Sequence, residues 1–248
     1  SGQGDVPLSR AQRSVEGNVT VLRTAHGMVH GVEHLDTLVP DPAGGIWWLG
    51  FFDEAELSDS GVQDVNRNQK KDDRFAVAAC RTADATGPML VVDTDGDGDL
   101  ADEKLRGSYA ADPRTFSFTH PDPRRNQTPV AFSATAFPEG AERVEFHFDD
   151  GGHGTHVAGI STGFRIHDVA GFNGIAPGAR VMSLKIGNNT LAGGSTTSDS
   201  MRRAIEFAGE WSQTHKRPVA INISYGIGSE IEGESDIDVA LDEALAQF

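Results

Sequence analysis

Apolar and polar positions follow two different rhythms along this chain. Up to about residue 148, apolar residues come in short runs at 18–22, 45–52, 75–79, 88–92, 130–136 and 143–148, cut by Pro, Gly and Asp. Several of these runs alternate apolar with polar residues, as in Arg143-Val144-Glu145-Phe146-His147-Phe148, which predicts half-buried antiparallel strands. From about residue 149 onward, strand and helix patterns take turns. Segments 179–186 and 218–225 read as strands. Between them Met201, Ile205, Ala208 and Trp211 recur at helical spacing, with Ser198 or a neighbour as N-cap. At the end Ile237, Ala240, Leu241, Ala244, Leu245 and Phe248 form one helical stripe, capped by Ser235 or Asp236. Strand–helix–strand–helix of this length predicts a parallel sheet with right-handed crossovers. The expectation is therefore an α/β region at 149–248 with a β-rich region at 1–148 before it.

Composition narrows the function classes. The 248 residues carry 21 Lys+Arg against 37 Asp+Glu, a formal charge of −16. Such a charge repels phosphate backbones, so no nucleic-acid partner is expected. No apolar run approaches the ~18 residues of a membrane span. The start, Ser1-Gly2-Gln3-Gly4-Asp5, has neither an initiator Met nor the profile of a signal peptide, so an excised or mature piece is expected. Cys80 is the one cysteine, and its apolar neighbours at 75–79 suggest a buried hydrophobe rather than a reactive thiol. No residue fixes the compartment. The expectation leans to an extracellular or periplasmic location, where metal ions can replace disulfides.

The most informative stretch is Asp149-Asp150-Gly151-Gly152-His153-Gly154-Thr155-His156-Val157-Ala158-Gly159-Ile160. Its pattern places an imidazole at a helix N-terminus, with glycines leaving space for a substrate backbone. A lone His in a Gly-rich turn would be read as structural; the length of this run argues otherwise. The run resembles the histidine motif of the subtilisin-like serine proteases, the subtilases. The resemblance continues through Gly174-Ile175-Ala176-Pro177-Gly178-Ala179, the strand at 181–187 and Asn222-Ile223-Ser224-Tyr225-Gly226. It implies a subtilisin-like parallel sheet with flanking helices, present in part, and a polypeptide substrate. It makes His153 the general base of Asp-His-Ser acyl-enzyme catalysis and places Ser224, Tyr225 and Gly226 along the substrate backbone. His156 is expected to be structural.

The family's Ser follows its His by roughly 150 residues, whereas only 95 residues follow His153. No Gly-Thr-Ser-Met-Ala-like segment occurs, nor a segment supplying the oxyanion-hole Asn, so both are expected beyond Phe248. The remainder of the catalytic domain would then lie on the same precursor or on another chain. Gly159-Ile160-Ser161-Thr162-Gly163 fits the G-x-S-x-G pattern, but Ser161 falls inside the helix led by His153 and lacks the strand–turn–helix setting of a nucleophile elbow.

Two readings of Asp93 stand. Met89-Leu90-Val91-Val92-Asp93-Thr94 resembles the family's apolar strand ending in the triad Asp, though Asp95 replaces a Gly and 60 residues separate it from His153. Alternatively, residues 92–100 resemble an Asp-rich segment inside the long Asp-to-His insertion of the tripeptidyl peptidase II-like subtilases. The opening at 1–6, Lys185-Ile186-Gly187 and Ser224-Tyr225-Gly226 are similar to that group too. On this second reading 1–148 is the insertion and the triad Asp precedes Ser1. The chain departs from that group where a substrate ammonium would be clamped by acids: Ile227 follows Ser-Tyr-Gly, and 188–197 holds no acid. A charged amine in a closed cleft needs a counter-charge. An endopeptidase is therefore expected over a tripeptidyl exopeptidase, unless Glu230 or Glu232 substitutes.

Asp93, Asp95, Asp97 and Asp99 occupy positions 1, 3, 5 and 7 of an EF-hand-like loop, with Gly98 at position 6, and predict a structural Ca²⁺ site. Asp64, Asn66, Asn68, Asp72 and Asp73 form a weaker echo. The spacing of His26, His30 and His34 superficially suggests zinc, but H-E-x-x-H is absent and Gly27 and Gly31 oppose a helix. The remaining alternative is a catalytically incomplete subtilase-fold binding module.

Overall fold

A computed structural model of the chain describes residues 5–33, 35, 46–57, 60–81, 87–109, 111–125, 130–137, 140–149, 151–187, 198–225 and 233–248. The chain divides into two compact units, Ser1–Gly151 and Gly152–Phe248.

The first unit is built from three antiparallel sheets. β1 (Asp5–Pro7), β11 (Arg143–Phe148) and β10 (Phe132–Phe137) form one. β2 (Ser9–Arg10), β6 (Trp47–Asp53), β7 (Arg74–Cys80), β8 (Met89–Val92) and β9 (Arg106–Gly107) form the second, in that spatial order. The third is a meander of β3 (Gln12–Glu16), β4 (Val19–Thr24) and β5 (Gly27–His30).

The five-stranded sheet is the central layer, and this explains its sequence. Along β6, Trp48 and Phe52 enter one core with the β10–β11 side, while Trp47 and Leu49 enter a second core with Leu22 and Val29 of the meander. A sheet buried on both faces needs no polar alternation, so β6, β7 and β8 read as continuous apolar runs. In the first core Phe52, Phe116, Phe118, Phe132 and Phe146 pack ring against ring, with Phe118 and Phe132 centroids 5.1 Å apart at 80°. Gly50 is demanded by close approach. A Cβ there would lie 2.2 Å from the carbonyl oxygen of Pro7, where β1 leads into β2 over the central sheet.

The second unit contains three helices among the described residues: α1 (His153–Thr162), α2 (Ser198–His215) and α3 (Asp236–Gln247). α2 packs against α3, and Met201, Ile205 and Ala208 of α2 and Ala240 of α3 are buried. The ring of Phe248 lies over Gly209, where a Cβ would come within 2.2 Å of it. Ser235 caps α3 as expected, its Oγ accepting the Asp238 amide at 3.1 Å.

The expected parallel sheet does not form among the described residues of this unit. Segments 179–186 and 218–225 run without a ladder, and every named ladder of the chain is antiparallel. Their apolar side chains stay solvated: Val181, Leu184, Val219, Ile221 and Ile223 are all exposed. The alternation records a preference for a half-buried strand, but a ladder also requires a second strand alongside.

Candidate functional site

His153 is the first residue of α1. Gly152 precedes it in the left-handed region at φ 69°, a conformation that glycine adopts without a Cβ penalty. The N-cap glycine offers no side chain to the helix start, and the His153 imidazole is exposed there. His156 is also exposed, one turn along, and its amide closes the first turn on the carbonyl of Gly152 at 3.0 Å. Ser161 donates its hydroxyl back to the carbonyl of Val157 at 2.9 Å. That bond commits the proton to the helix backbone, an arrangement that gives no activated nucleophile.

Ser224 and Tyr225 lie on an exposed segment outside any helix or strand, where Asn222 Nδ2 donates to Ser224 Oγ at 3.0 Å. Gly226, Ile227, Glu230, Glu232 and the loop 188–197 fall outside the described residues.

The acidic loop leaves the end of β8, and Asp93 is 2 % exposed there. Its Oδ1 accepts the amide of Gly96 at 2.7 Å and its Oδ2 that of Gly98 at 3.0 Å. Both glycines sit at φ 78°, which the tight turn requires. Burial pushes the Asp93 carboxyl up to about 6, against the pull of those two amides. Asp95 is raised as well, by burial first and then by Asp97 and Asp102. Ligand oxygens of Asp93, Asp95 and Asp97 lie within 4.8 Å of one another. Asp99 is turned elsewhere. Its Oδ1 accepts the Ala101 amide at 2.9 Å and faces His30 Nδ1 at 3.5 Å.

His30 is held there by backbone bonds of β5, its amide donating to Gly98 and its carbonyl accepting from Leu100. A Cβ on Gly31 would overlap Asp99 Oδ1, so glycine is required for this contact too. His26 lies at the turn before β5 and donates its amide to Thr24 Oγ1. His34 is outside the described residues.

One buried acid was not singled out from sequence. Glu54, 1 % exposed, follows β6 and accepts the amides of Val65 and Asp73 at 2.6 and 3.2 Å. Burial pushes its carboxyl up to about 7. In the echo loop, Asp64 accepts the amides of Asn68 and Gln69, and Asp73 Oδ2 accepts the side-chain amide of Asn66. Cys80 is fully buried and burial pushes its thiol up to about 12, as the inert hydrophobe expected.

Residues 116–247, more than half of the chain, match the model of the subtilase family. The chain belongs to the subtilase family. It is 33% identical to tripeptidyl-peptidase 2 of Caenorhabditis elegans over 119 residues, which cover 48% of this chain and 8% of that protein. It is 30% identical to tripeptidyl-peptidase 2 of Drosophila melanogaster over 165 residues, 66% of this chain and 10% of the fly protein. The chain thus spans about a tenth or less of these relatives' length. A crystal structure of tripeptidyl peptidase 2 aligns with a TM-score of 0.60 at 20% identity, covering 91% of this chain and 20% of that one, which shows a shared fold. The family match includes α1, with His153 at its head, as well as β10 and β11 of the first unit.

Proposed function

We propose that the chain is part of a subtilisin-like serine endopeptidase, with His153 as the general base. The observation that carries the reading is the subtilase match over α1, together with an exposed imidazole at the first residue of that helix. In this chemistry His153 takes the proton of a Ser hydroxyl as it attacks the scissile carbonyl, then returns it to the leaving amine. A carboxylate fixes the imidazole tautomer. Ser224, Tyr225 and Gly226 would line the substrate backbone.

The Ser and the triad Asp come from segments outside 1–248, and 1–148 is an insertion between that Asp and His153. Two observations support this. Ser161 is bonded to its own helix, and both oxygens of Asp93 are occupied by loop amides in a carboxylate cluster. The parallel strands of the family core are assigned to 179–186 and 218–225, whose exposed apolar side chains the remainder of the domain would cover. Absence of an acid in 188–197 and Ile227 after Gly226 favour an endopeptidase over a tripeptidyl exopeptidase.

Asp93, Asp95 and Asp97 are the residues proposed to hold Ca²⁺, while the carboxylate of Asp99 faces Ala101 and His30 instead. Three carboxylates converging within 4.8 Å suit a hard cation that takes oxygen ligands. The ion would be structural and enters no catalytic step.

A fluorophosphonate that labels activated Ser tests the assignment, followed by mapping of the labelled peptide. Labelling of the complete peptidase at a Ser outside 1–248, lost with His153→Ala, is expected. Label on Ser161 would contradict the reading.

A further inference from the structure

The helix that carries His153 is tied at its far end by backbone hydrogen bonds. No residue of α1 is buried. A helix leaves its last four carbonyls without internal partners. Beyond this helix the amides of Gly174, Ile175 and Ala176 donate to the carbonyls of Gly163, Ile160 and Ser161 at 2.8, 3.0 and 2.7 Å.

The approach depends on Gly174. A Cβ there would lie 2.7 Å from the carbonyl oxygens of both Gly159 and Ile160, and 2.8 Å from the amide nitrogen of Gly163. All three are backbone atoms that cannot rotate aside. The chain between is bent sharply to make this return. Arg165, His167 and Asp168 hold φ of 48°, 54° and 60°, a region that residues with a Cβ rarely occupy. The turn is closed by the Ile166 amide on the Phe172 carbonyl and the Arg165 amide on Asn173 Oδ1, each at 2.8 Å.

We propose that Gly174 is a positioning residue for His153. It rests on the reading of His153 as general base. By docking 174–176 on the last carbonyls of α1, the glycine sets the direction of that helix and hence the place of the imidazole at its other end. A helix of ten residues is about 15 Å long. A tilt of about 4° at one end moves the other by about 1 Å, and a displacement of that size costs about 10²-fold in rate.

The test measures kcat and KM on a peptide substrate in the complete peptidase, at a temperature below each variant's melting transition. Gly174→Ala is expected to lower kcat by about 10²-fold with KM within about twofold of wild type. Gly178→Ala, where a Cβ meets nothing within 4 Å, is expected to keep wild-type kcat. A wild-type kcat for Gly174→Ala, or a loss confined to the folded fraction or to KM, overturns the proposal. If Gly174→Ala does not fold, Ala176→Pro removes one donor and carries the test: lowered kcat at unchanged KM supports it and unchanged kcat overturns it. His153→Ala is measured alongside. Activity retained in that variant overturns the general-base reading, whereas its loss with Gly174→Ala intact overturns the positioning role alone.

Discussion

Glu54 receives the backbone amide of Val65 on Oε1 at 2.6 Å and thereby ties down the long connection between β6 and β7. Its other oxygen accepts the Asp73 amide, and desolvation by burial is the main cause of its raised carboxyl, at about 7 against 4.5 for an ordinary glutamate. The folded unit therefore binds a proton here that the unfolded chain has released. That contribution is fully present below about pH 4.5 and lost as pH rises through about 7. With each tenfold difference in proton affinity between the two states worth about 1.4 kcal/mol, the contribution is on the order of 3 kcal/mol. Denaturant unfolding from pH 4 to pH 8 is expected to show stability falling across this window, with a flatter profile in Glu54→Gln. Parallel profiles for the two proteins would refute this.

Phe132 is fully buried between Phe118 and Phe148, with centroids at 5.1 and 4.7 Å. Phe132→Ala leaves a void that neighbouring rings on two sheets cannot close without losing their own contacts. Destabilisation by about 3–5 kcal/mol is expected in urea unfolding. A loss under about 1 kcal/mol would show that the aromatic cluster is not the core of the first unit.

Calcium is expected to raise the thermal midpoint of the protein, and Asp95→Asn with Asp97→Asn to abolish that rise. A cation bound only by the folded state, at about 100 times its Kd, stabilises by about 2.7 kcal/mol. Identical midpoints in chelator and in millimolar calcium would remove the ion from the loop.

How much of this was legible in sequence depends on how local each cause is. The runs that became β6, β7, β8 and β11 could be read because burial on one or two faces leaves its mark residue by residue. β3, Gln12-Arg13-Ser14-Val15-Glu16, could not, since an exposed edge strand is defined by its partner β4 rather than by its own composition. β1 is three residues long and exists through pairing with β11, nearly the whole unit away in sequence. Segments 179–186 and 218–225 had strand composition but find no ladder partner among the described residues.

The site divides in the same way. The Asp93, Asp95 and Asp97 cluster follows from period-two spacing in one loop, whereas the turn of Asp99 toward His30 depends on β5 docking from a distant part of the chain. His153 at a helix start was legible from its glycines. Glu54 was not, and the one signal was an acid directly after an apolar run and ahead of an Asn- and Asp-rich loop.

Residues 1–248 alone are expected to lack peptidase activity. On the proposed reading the Ser nucleophile and the oxyanion-hole donor are supplied by other segments; without the Ser no acyl-enzyme forms, and loss of the donor alone costs about 10²–10³ in kcat. Purified 1–248 is to be assayed on denatured casein. Turnover that disappears with His153→Ala would mean that a Ser and a carboxylate of this chain complete the site.

The central claim is that His153 is the general base, and the kinetics of His153→Ala in the complete peptidase test it most directly. Triad members act as a unit, so kcat is expected to fall by about 10⁴–10⁶ while the unfolding transition stays in place. A variant that folds and keeps kcat within about tenfold of wild type would contradict the account.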